Sequence, residues 1–339
     1  MSSRTTIKDV SRATGVSVST VSNALNAPER VAEETRRRVV EAADRLGYRP
    51  NRAARALPQG RTFTIGYCIP AGRDGFALDT FLHQVTERAS TAGMDIHLFT
   101  PHAGQSETEA YEEVMRRGAV DGFVLAGTVH EDMRIQALLD AGIPFVTFGR
   151  SDLGDRHSWV DVDGRAGTRA VVDHLVEQGH TRLGLVAWPK GSLSGDDRAS
   201  GFVEGLEAAG LTFDVRHLIR TENDLAAGRE AASLLLDAVL PPTAIVAVHD
   251  ILAAGVVAEL LSRGLRPGTD VAVTGFDDSP PAIYSTPAIT SVRQPIEEIG
   301  RRIVEFLMHD LEDEEVIRRS DLVEPELVIR ESSLGRGAG

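Results

Sequence analysis

From residue 62 onward, short apolar runs alternate with longer stretches in which apolar residues recur every three or four positions. The runs 64–69, 95–99, 122–126, 145–148, 159–162, 183–187, 244–248 and 271–276 read as strands. Between them, 81–92, 107–117, 165–177, 199–209, 228–239 and 252–262 carry the helical period. Such alternation predicts parallel sheets with helices packed on both faces. About 270 residues of it is too much for one sheet, so two α/β subdomains are expected, with a ligand site between them.

The first 60 residues follow another pattern. Thr6 and Asp9 stand as a capping box before a short helix whose apolar face is Ile7, Val10 and Ala13 or Thr14. Gly15 ends that helix, Val16 fills the turn, and Ser17 caps a second helix reaching Asn26, with Val21, Ala24 and Leu25 on its apolar face. A third helix, 32–46, brings Val39, Val40, Ala43 and Leu46 to the same core and stops at Gly47, suited to a left-handed C-cap. Two short helices joined by a glycine turn define a helix-turn-helix. The outer face of its second helix is small and polar: Val18, Ser19, Ser22 and Asn23. Small side chains let a helix sit deep in a major groove, where asparagine can pair with base edges.

Residues 48–60 open and close on prolines and carry three arginines (Arg49, Arg52, Arg55) and one leucine, Leu57. The segment is too short to be helical alone. It reads either as an ordinary linker or as a hinge that folds on DNA, with Leu57 free to wedge between base steps. The expected division is therefore a helix-turn-helix domain over 1–47, a hinge helix and linker over 48–60, and an effector-binding and dimerisation domain over 61–339.

Charge sharpens this division. The whole chain of 339 residues has a formal charge of −14. Residues 1–60 hold 11 Lys or Arg against 6 Asp or Glu, a net of +5, which leaves −19 on the rest. A basic head on an acidic body is expected where only the head meets phosphate. The single cysteine, Cys68, lies in an apolar run and has no cysteine to pair with. No apolar run reaches membrane-spanning length and no secretory signal precedes the head, so a cytoplasmic protein without membrane attachment is expected.

The head resembles the lactose-repressor (LacI/GalR) family of bacterial transcription factors. The resemblance rests on Thr6-Ile7-Lys8-Asp9-Val10, Ala13, Gly15-Val16-Ser17, Thr20-Val21-Ser22, Asn26, Tyr48, Pro50, Asn51 and Leu57. It implies that Val18, Ser19 and Asn23 read bases. It also implies that Ile7, Ser22, Asn26, Arg30, Thr35, Tyr48 and Asn51 touch the DNA backbone or support the dock. Ser17, Thr20, Arg52, Ala54 and Arg55 flank these positions and join the DNA-binding set, and Leu57 matches a leucine that enters the minor groove at the operator centre. Ala32 departs from the pattern, standing where many relatives have a capping Ser or Thr.

For the body, the resemblance implies a periplasmic-binding-protein-like fold whose chain crosses three times between subdomains, near 161–163, 290–292 and 320–323. The N-subdomain would span about 62–161 and 291–321, and the C-subdomain about 162–290 and 322–332. Arg198-Ala199-Ser200-Gly201-Phe202 matches the family's Arg-x-x-Gly-aromatic motif, and Asp277 matches an effector-binding acid. An arginine facing a carboxylate suits vicinal hydroxyls, which donate and accept together. His249 stands where relatives usually have Asn, which allows a different effector preference and a pH-sensitive affinity. Trp188, directly after a strand, is placed to stack on a pyranose ring, and Arg150 follows another strand end; both resemble members that answer to glucosides or maltose-like sugars. Asp79 and Asn223 lie in loops that line the cleft in relatives.

The expected molecule is thus a dimeric repressor of carbohydrate-utilisation genes, bound to a near-palindromic double-stranded operator and released by a sugar. A non-sugar metabolite or a protein partner is the alternative signal. An enzyme is not expected: no nucleophile elbow, phosphate-cradling Gly-Lys loop, complete dinucleotide fingerprint or metal-ligand spacing is present, and no cofactor or metal is implied. A stand-alone solute receptor of the same fold would need an export signal and would lack the head. The last ten residues carry no heptad for a tetramerising coiled coil.

Overall fold

The computed structural model describes residues 5–26, 30–48, 61–69, 76–312 and 317–335. The chain divides into a head ending at Phe63 and a body beginning at Thr64. In the head, α1 (Ile7–Thr14), α2 (Val18–Asn26) and α3 (Glu33–Leu46) enclose Val10, Val21, Ala24, Val39, Ala42, Ala43 and Tyr48. The Asp9 carboxylate accepts from the Thr6 amide at 2.9 Å and from the Thr6 hydroxyl at 2.7 Å, tying down the start of α1. Ser17 Oγ accepts from the Thr20 amide at 3.0 Å and so caps α2. Gly15 and Gly47 end α1 and α3 with φ of 69° and 64°, the left-handed region where a side chain is strained. Two expected core residues are displaced: Val40 and Leu46 lie on the exposed side of α3, and Ala42 and Tyr48 fill the space. α3 faces the core with 39, 42 and 43, one narrow stripe of a helix whose other faces are charged.

The body holds two six-stranded sheets. The first is built from β1 (Thr64–Cys68), β2 (Asp95–Phe99), β3 (Gly122–Ala126), β4 (Phe145–Phe148), β5 (Ser158–Val162) and β11 (Ser320–Val323), in the order β11-β5-β4-β3-β1-β2, all parallel. Its helices are α4 (Phe76–Thr91), α5 (Glu107–Arg117), α6 (Met133–Ala141) and α12 (Ile296–Glu312). The second contains β6 (Leu183–Ala187), β7 (Leu218–Arg220), β8 (Ala244–Ala247), β9 (Ala272–Phe276), β10 (Thr290–Arg293) and β12 (Glu326–Val328), in the order β12-β10-β9-β8-β6-β7. Only β12 runs antiparallel. Around it lie α7 (Gly164–Glu177), α8 (Leu193–Ala208), α9 (Leu225–Leu236), α10 (Asp250–Ser262) and α11 (Pro280–Tyr284). The chain passes from the first sheet to the second after β5, back after β10 and across again after β11. β10 therefore belongs entirely to the second sheet.

All eight expected strands form within a residue or so of their expected limits; seven are largely buried runs, and β2, at the sheet edge, is only partly covered, with Asp95 and Leu98 exposed. The structure adds β7, β10, β11 and β12, which are only three or four residues long or carry polar residues. It also adds α6, α11 and α12. α8 begins at Leu193 rather than 199, since Ser192 caps it by accepting from the Gly195 amide at 3.2 Å. Packing fixes α8 closely: a Cβ on Gly201 would come within 2.3 Å of the Arg165 carbonyl oxygen, so α7 and α8 meet backbone to backbone. The adjoining aromatic, Phe202, is fully buried.

Candidate functional site

The head presents its candidate residues on the outside of the helix-turn-helix. Val18 is 40% exposed although apolar, and Ser17 and Ser19 beside it are exposed. Thr20, Ser22 and Asn23 are half-buried. Ser17 Oγ lies 2.7 Å from Ser19 Oγ and 2.8 Å from Thr20 Oγ1, a hydroxyl cluster at the N-terminus of α2, where amides favour an anion. Ile7 packs on the core, Thr35 is half-buried on α3, Arg30 is exposed, and Tyr48 lies within the core, where it supports the domain. The Asn26 side chain and Asn51, Arg52, Ala54, Arg55 and Leu57 lie outside the described residues.

In the body, carboxyl ends of strands from both sheets converge on a cavity of about 730 Å³. Its walls include Thr128 after β3, Phe148 at the end of β4 and Asp161 on β5 from one side. From the other come Trp188 after β6, Asn223 after β7, His249 after β8 and Asp277 after β9, with Arg198 from α8. Five of the seven expected effector residues thus meet in one place. Asp79 and Arg150 do not line it. Asp79 is exposed on the first turn of α4, and Arg150 turns its guanidinium to carboxylates.

Arg198 is the centre of the arrangement. Its Nη1 donates to the Val248 carbonyl at 2.6 Å and its Nη2 to Asp277 Oδ1 at 3.3 Å. The guanidinium carbon lies 3.7 Å from the Phe276 ring centroid and 5.1 Å from that of Trp188. Asp277 receives His249 Nε2 at 2.9 Å on its other oxygen and the Gln294 side-chain amide on Oδ1. His249 caps α10, its Nδ1 accepting from the Ile251 amide at 3.2 Å. That bond places the ring proton on Nε2, the nitrogen that donates to Asp277. Burial works against the Asp277 charge, but Arg198 and His249 outweigh it and hold its pKa far below the ordinary carboxylate range. Burial also draws Arg198 below the usual arginine value, against the opposing pull of Asp277.

Strain is concentrated at the same point. Asp277 and Asp278 have φ of 103° and 50°, both in the region that favours glycine. They are held there by the Asp277 amide on the Val292 carbonyl at 2.8 Å and the Asp278 amide on Ser291 Oγ at 3.0 Å. Behind them Asp250 is fully buried and accepts from the Ser279 amide, the Ser279 hydroxyl and the Ser291 hydroxyl. Gly275 makes room for it, since a Cβ there would lie 2.2 Å from Asp250 Oδ1. Burial, and then the neighbouring charge of Asp277, push Asp250 up to about 6.

Gln294, Thr128, Asp161 and Asp197 also belong to the cavity wall and were not expected there. Most follow or end strands at the ligand-facing edge of a sheet, a signal available once strand ends are known. Among the described residues no three His, Cys, Asp or Glu are grouped to hold a metal ion, and no helix is long and apolar enough to cross a membrane.

A helix-turn-helix and a cleft between two parallel sheets define a DNA-binding transcriptional regulator with an effector domain. Residues 6–51 match the model of bacterial regulatory proteins of the lacI family, and residues 172–333 match the periplasmic binding protein-like domain. The HTH-type transcriptional regulator CelR of Thermobifida fusca is 32% identical over 336 residues, covering 97% of this chain and 98% of the relative. The chain belongs to the LacI family. Among solved structures, a LacI-family regulatory protein from Chloroflexus aggregans is 38% identical, covers 80% of this chain and 99% of its own, and superposes with a TM-score of 0.75. A CelR–cellobiose complex is 31% identical, covers 97% of this chain and all of its own, and also gives 0.75.

Proposed function

We propose that this regulator represses carbohydrate-utilisation genes as a dimer and is released from its operator by an uncharged sugar of the glucoside or maltose-like class. The observation that carries the reading is the internal neutralisation of the cavity. The deep cation, Arg198, is already matched by Asp277, Asp161 and Asp197 are matched by Arg150, and the rim carries Glu222 and Asp224 against the single lysine, Lys190. A phosphate or carboxylate would compete with Asp277 for Arg198 and meet acids elsewhere. Hydroxyls, which donate and accept, fit instead. Two buried donors of the wall, Trp188 Nε1 and Arg198 Nε, have no acceptor in the protein, a deficit that a ligand oxygen can relieve. The CelR complex contains cellobiose, which adds weight to a disaccharide.

Dimerisation is supported by an apolar stripe on α10, where Ile251, Ala254, Ala258 and Leu261 follow helical spacing and are not fully covered. Ile283 and Tyr284 on α11, 43% and 80% exposed, lie on the helix packed against α10. A dimer would present two recognition helices to a near-palindromic operator, with Leu57 of each hinge at its centre.

Thermal unfolding with mono- and disaccharides, sugar phosphates and nucleobases tests the ligand class. A ligand at 100 times its dissociation constant should stabilise the protein by about 2.7 kcal/mol. A response confined to charged compounds would overturn the sugar reading. For the head, Leu57→Ala should weaken specific binding more than non-specific binding in anisotropy titrations; equal loss on both sequences would remove the wedge.

A further inference from the structure

We propose that Asp196 and Asp197, in the first turns of α8, form a two-armed latch that holds the cleft closed by gripping His130 and Arg150 of the opposite subdomain. This reading assigns Arg150 to subdomain closure rather than to ligand contact. It concerns the regulation of the cleft already read as the effector site and rests on that reading only for its consequence, not for its geometry.

The first arm is Arg150, which follows β4 in the first sheet. Its Nε donates to Asp161 Oδ2 at 2.8 Å, and its backbone amide lies 3.3 Å from the same oxygen. Its Nη2 reaches across to Asp197 Oδ2. Asp197 is itself held on its own side by Arg165 of α7, Nη2 to Oδ1 at 3.0 Å, and Arg165 in turn by Glu204 at 3.0 Å. Asp197 is thus a fixed anchor and Arg150 the arm that crosses. Both are substantially shielded, with side chains 32% and 17% exposed, so this pair is worth more than a freely solvated one.

The second arm is His130, which follows β3. Its Nδ1 lies 2.8 Å from Asp152 Oδ1, and Asp152 is steadied by the Glu131 amide at 2.9 Å. His130 Nε2 stands 3.9 Å from Asp196 Oδ2, and its backbone amide points to the Gly191 carbonyl at 3.5 Å. Asp196 is anchored on its own side by Arg220 at 3.2 Å and by the Gly191 amide at 3.2 Å. Both arms therefore leave strand ends of one subdomain and both anchors sit on one helix of the other.

Asp196, Asp197 and Arg198 are consecutive, and at about 100° per residue they fan over some 200° of the helix surface. Two of them grip the opposite subdomain, and the third reaches the floor of the cavity. Any movement of α8 that accompanies occupancy at Arg198 must strain or relieve the grip. The grip is made by the protein's own side chains, so an effector that needs the closed cleft has part of the cost of closure met in advance.

The test measures a distance across the cleft in the full-length, ligand-free protein. Met133 on α6 and Val215 before β7 are 64% and 69% exposed and lie on opposite subdomains, so Met133→Cys and Val215→Cys accept spin labels. The native Cys68 stays unlabelled, being buried with its thiol pushed up to about 12. With the doubly labelled protein diluted in excess unlabelled parent, so that few dimers carry two labelled copies, electron–electron double resonance should give one narrow distance in the otherwise unchanged protein, and a broader distribution with a longer component in Asp197→Asn. Arg150→Met should do the same, and the two together should add little to either alone. Asp197→Asn keeps the side-chain shape, so it decides the matter even if Arg150→Met fails to fold. Unchanged distributions in Asp197→Asn would overturn the latch. With cellobiose as probe, calorimetry should show affinity roughly three- to tenfold weaker in Arg150→Met than in the parent. Equal affinity, with the distance broadened, would overturn the claim that closure tunes binding. If cellobiose fails to bind the parent, cellobiose is not the effector, and the distances alone decide the latch.

Discussion

The head and the body of this protein solve opposite problems with their functional residues. In the head, a small aliphatic core of Val10, Val21, Ala24 and Val39 leaves the outer face of α2 uncommitted, and the candidate base-reading residues Val18 and Ser19 are ones the core does not use, while Ile7, Ser17 and Tyr48 serve the fold as well. In the body, the side chains of Arg198 and Asp277 are only 6% and 5% exposed, and they are bound to one another and to the protein around them. A surface that reads many sequences by shape needs side chains it can change without cost. A pocket that recognises one ligand needs side chains that cannot move. The difference teaches that function can be grafted onto a fold as a free surface or written into its packing, and that mutation should tell the two apart.

The sharpest way to test the contrast is Arg198→Ala. It leaves Asp277 buried with only His249 and Gln294 beside it, so denaturant unfolding should show the body weakened by about 3–5 kcal/mol, and ligand stabilisation should vanish. Operator binding by the head should survive; its loss would point to a purely structural arginine. Asp250 sharpens the comparison through pH. Its folded pKa of about 6 stands above the ordinary aspartate value of 3.8, so between the two the folded state keeps a proton the unfolded chain releases. The stability linked to this group is then greatest below pH 4 and falls as pH rises through 6. The stability of the parent minus that of Asp250→Asn should drop by about 3 kcal/mol between pH 4 and 7. A flat difference would mean that Asp250 ionises like an exposed acid. In the head, Val21→Ala opens a hole in a core with few residues to spare and should cost about 2 kcal/mol, read as operator affinity lost with the body's unfolding unchanged. The smallest effect is expected from Ala32→Ser. Ala32 occupies the N-cap of α3 without a side-chain hydrogen bond, so a serine should stabilise the head by about 0.5–1 kcal/mol in a melting measurement.

The fold was legible where burial left a pattern. Seven of the eight expected strands are largely buried, with apolar residues on both faces, and the head helices carry both cap residues and a clean apolar stripe. The short edge strands were not legible, because Leu218–Arg220 and Glu326–Val328 owe their strand form to neighbouring backbone rather than to their own residues. α12 could have been found: Ile296, Ile299, Gly300, Ile303, Val304 and Leu307 follow the helical period. In the site, Arg198 and Asp277 stood out by their motifs, whereas Gln294 and Thr128 matter only through where strands end. Arg150 shows the limit most clearly. Its position after a strand end predicted the right neighbourhood, but two carboxylates from separate segments, Asp161 and Asp197, decide where its charge points.

The chain has two tryptophans, Trp159 and Trp188, and neither lies in the head. Trp159 belongs to β5 in the first sheet, while Trp188 stands in the cavity wall with its ring 5.9 Å from that of His249 and its indole nitrogen without an acceptor. Emission excited at tryptophan therefore comes from the body alone, and one of its two sources lines the cavity. A sugar that supplies the indole with an oxygen and excludes water should change the colour and yield of that emission. Operator binding has no chromophore of this kind to disturb. The protein thus carries its own optical gauge of occupancy, by which effectors can be titrated in the presence of DNA without any added label.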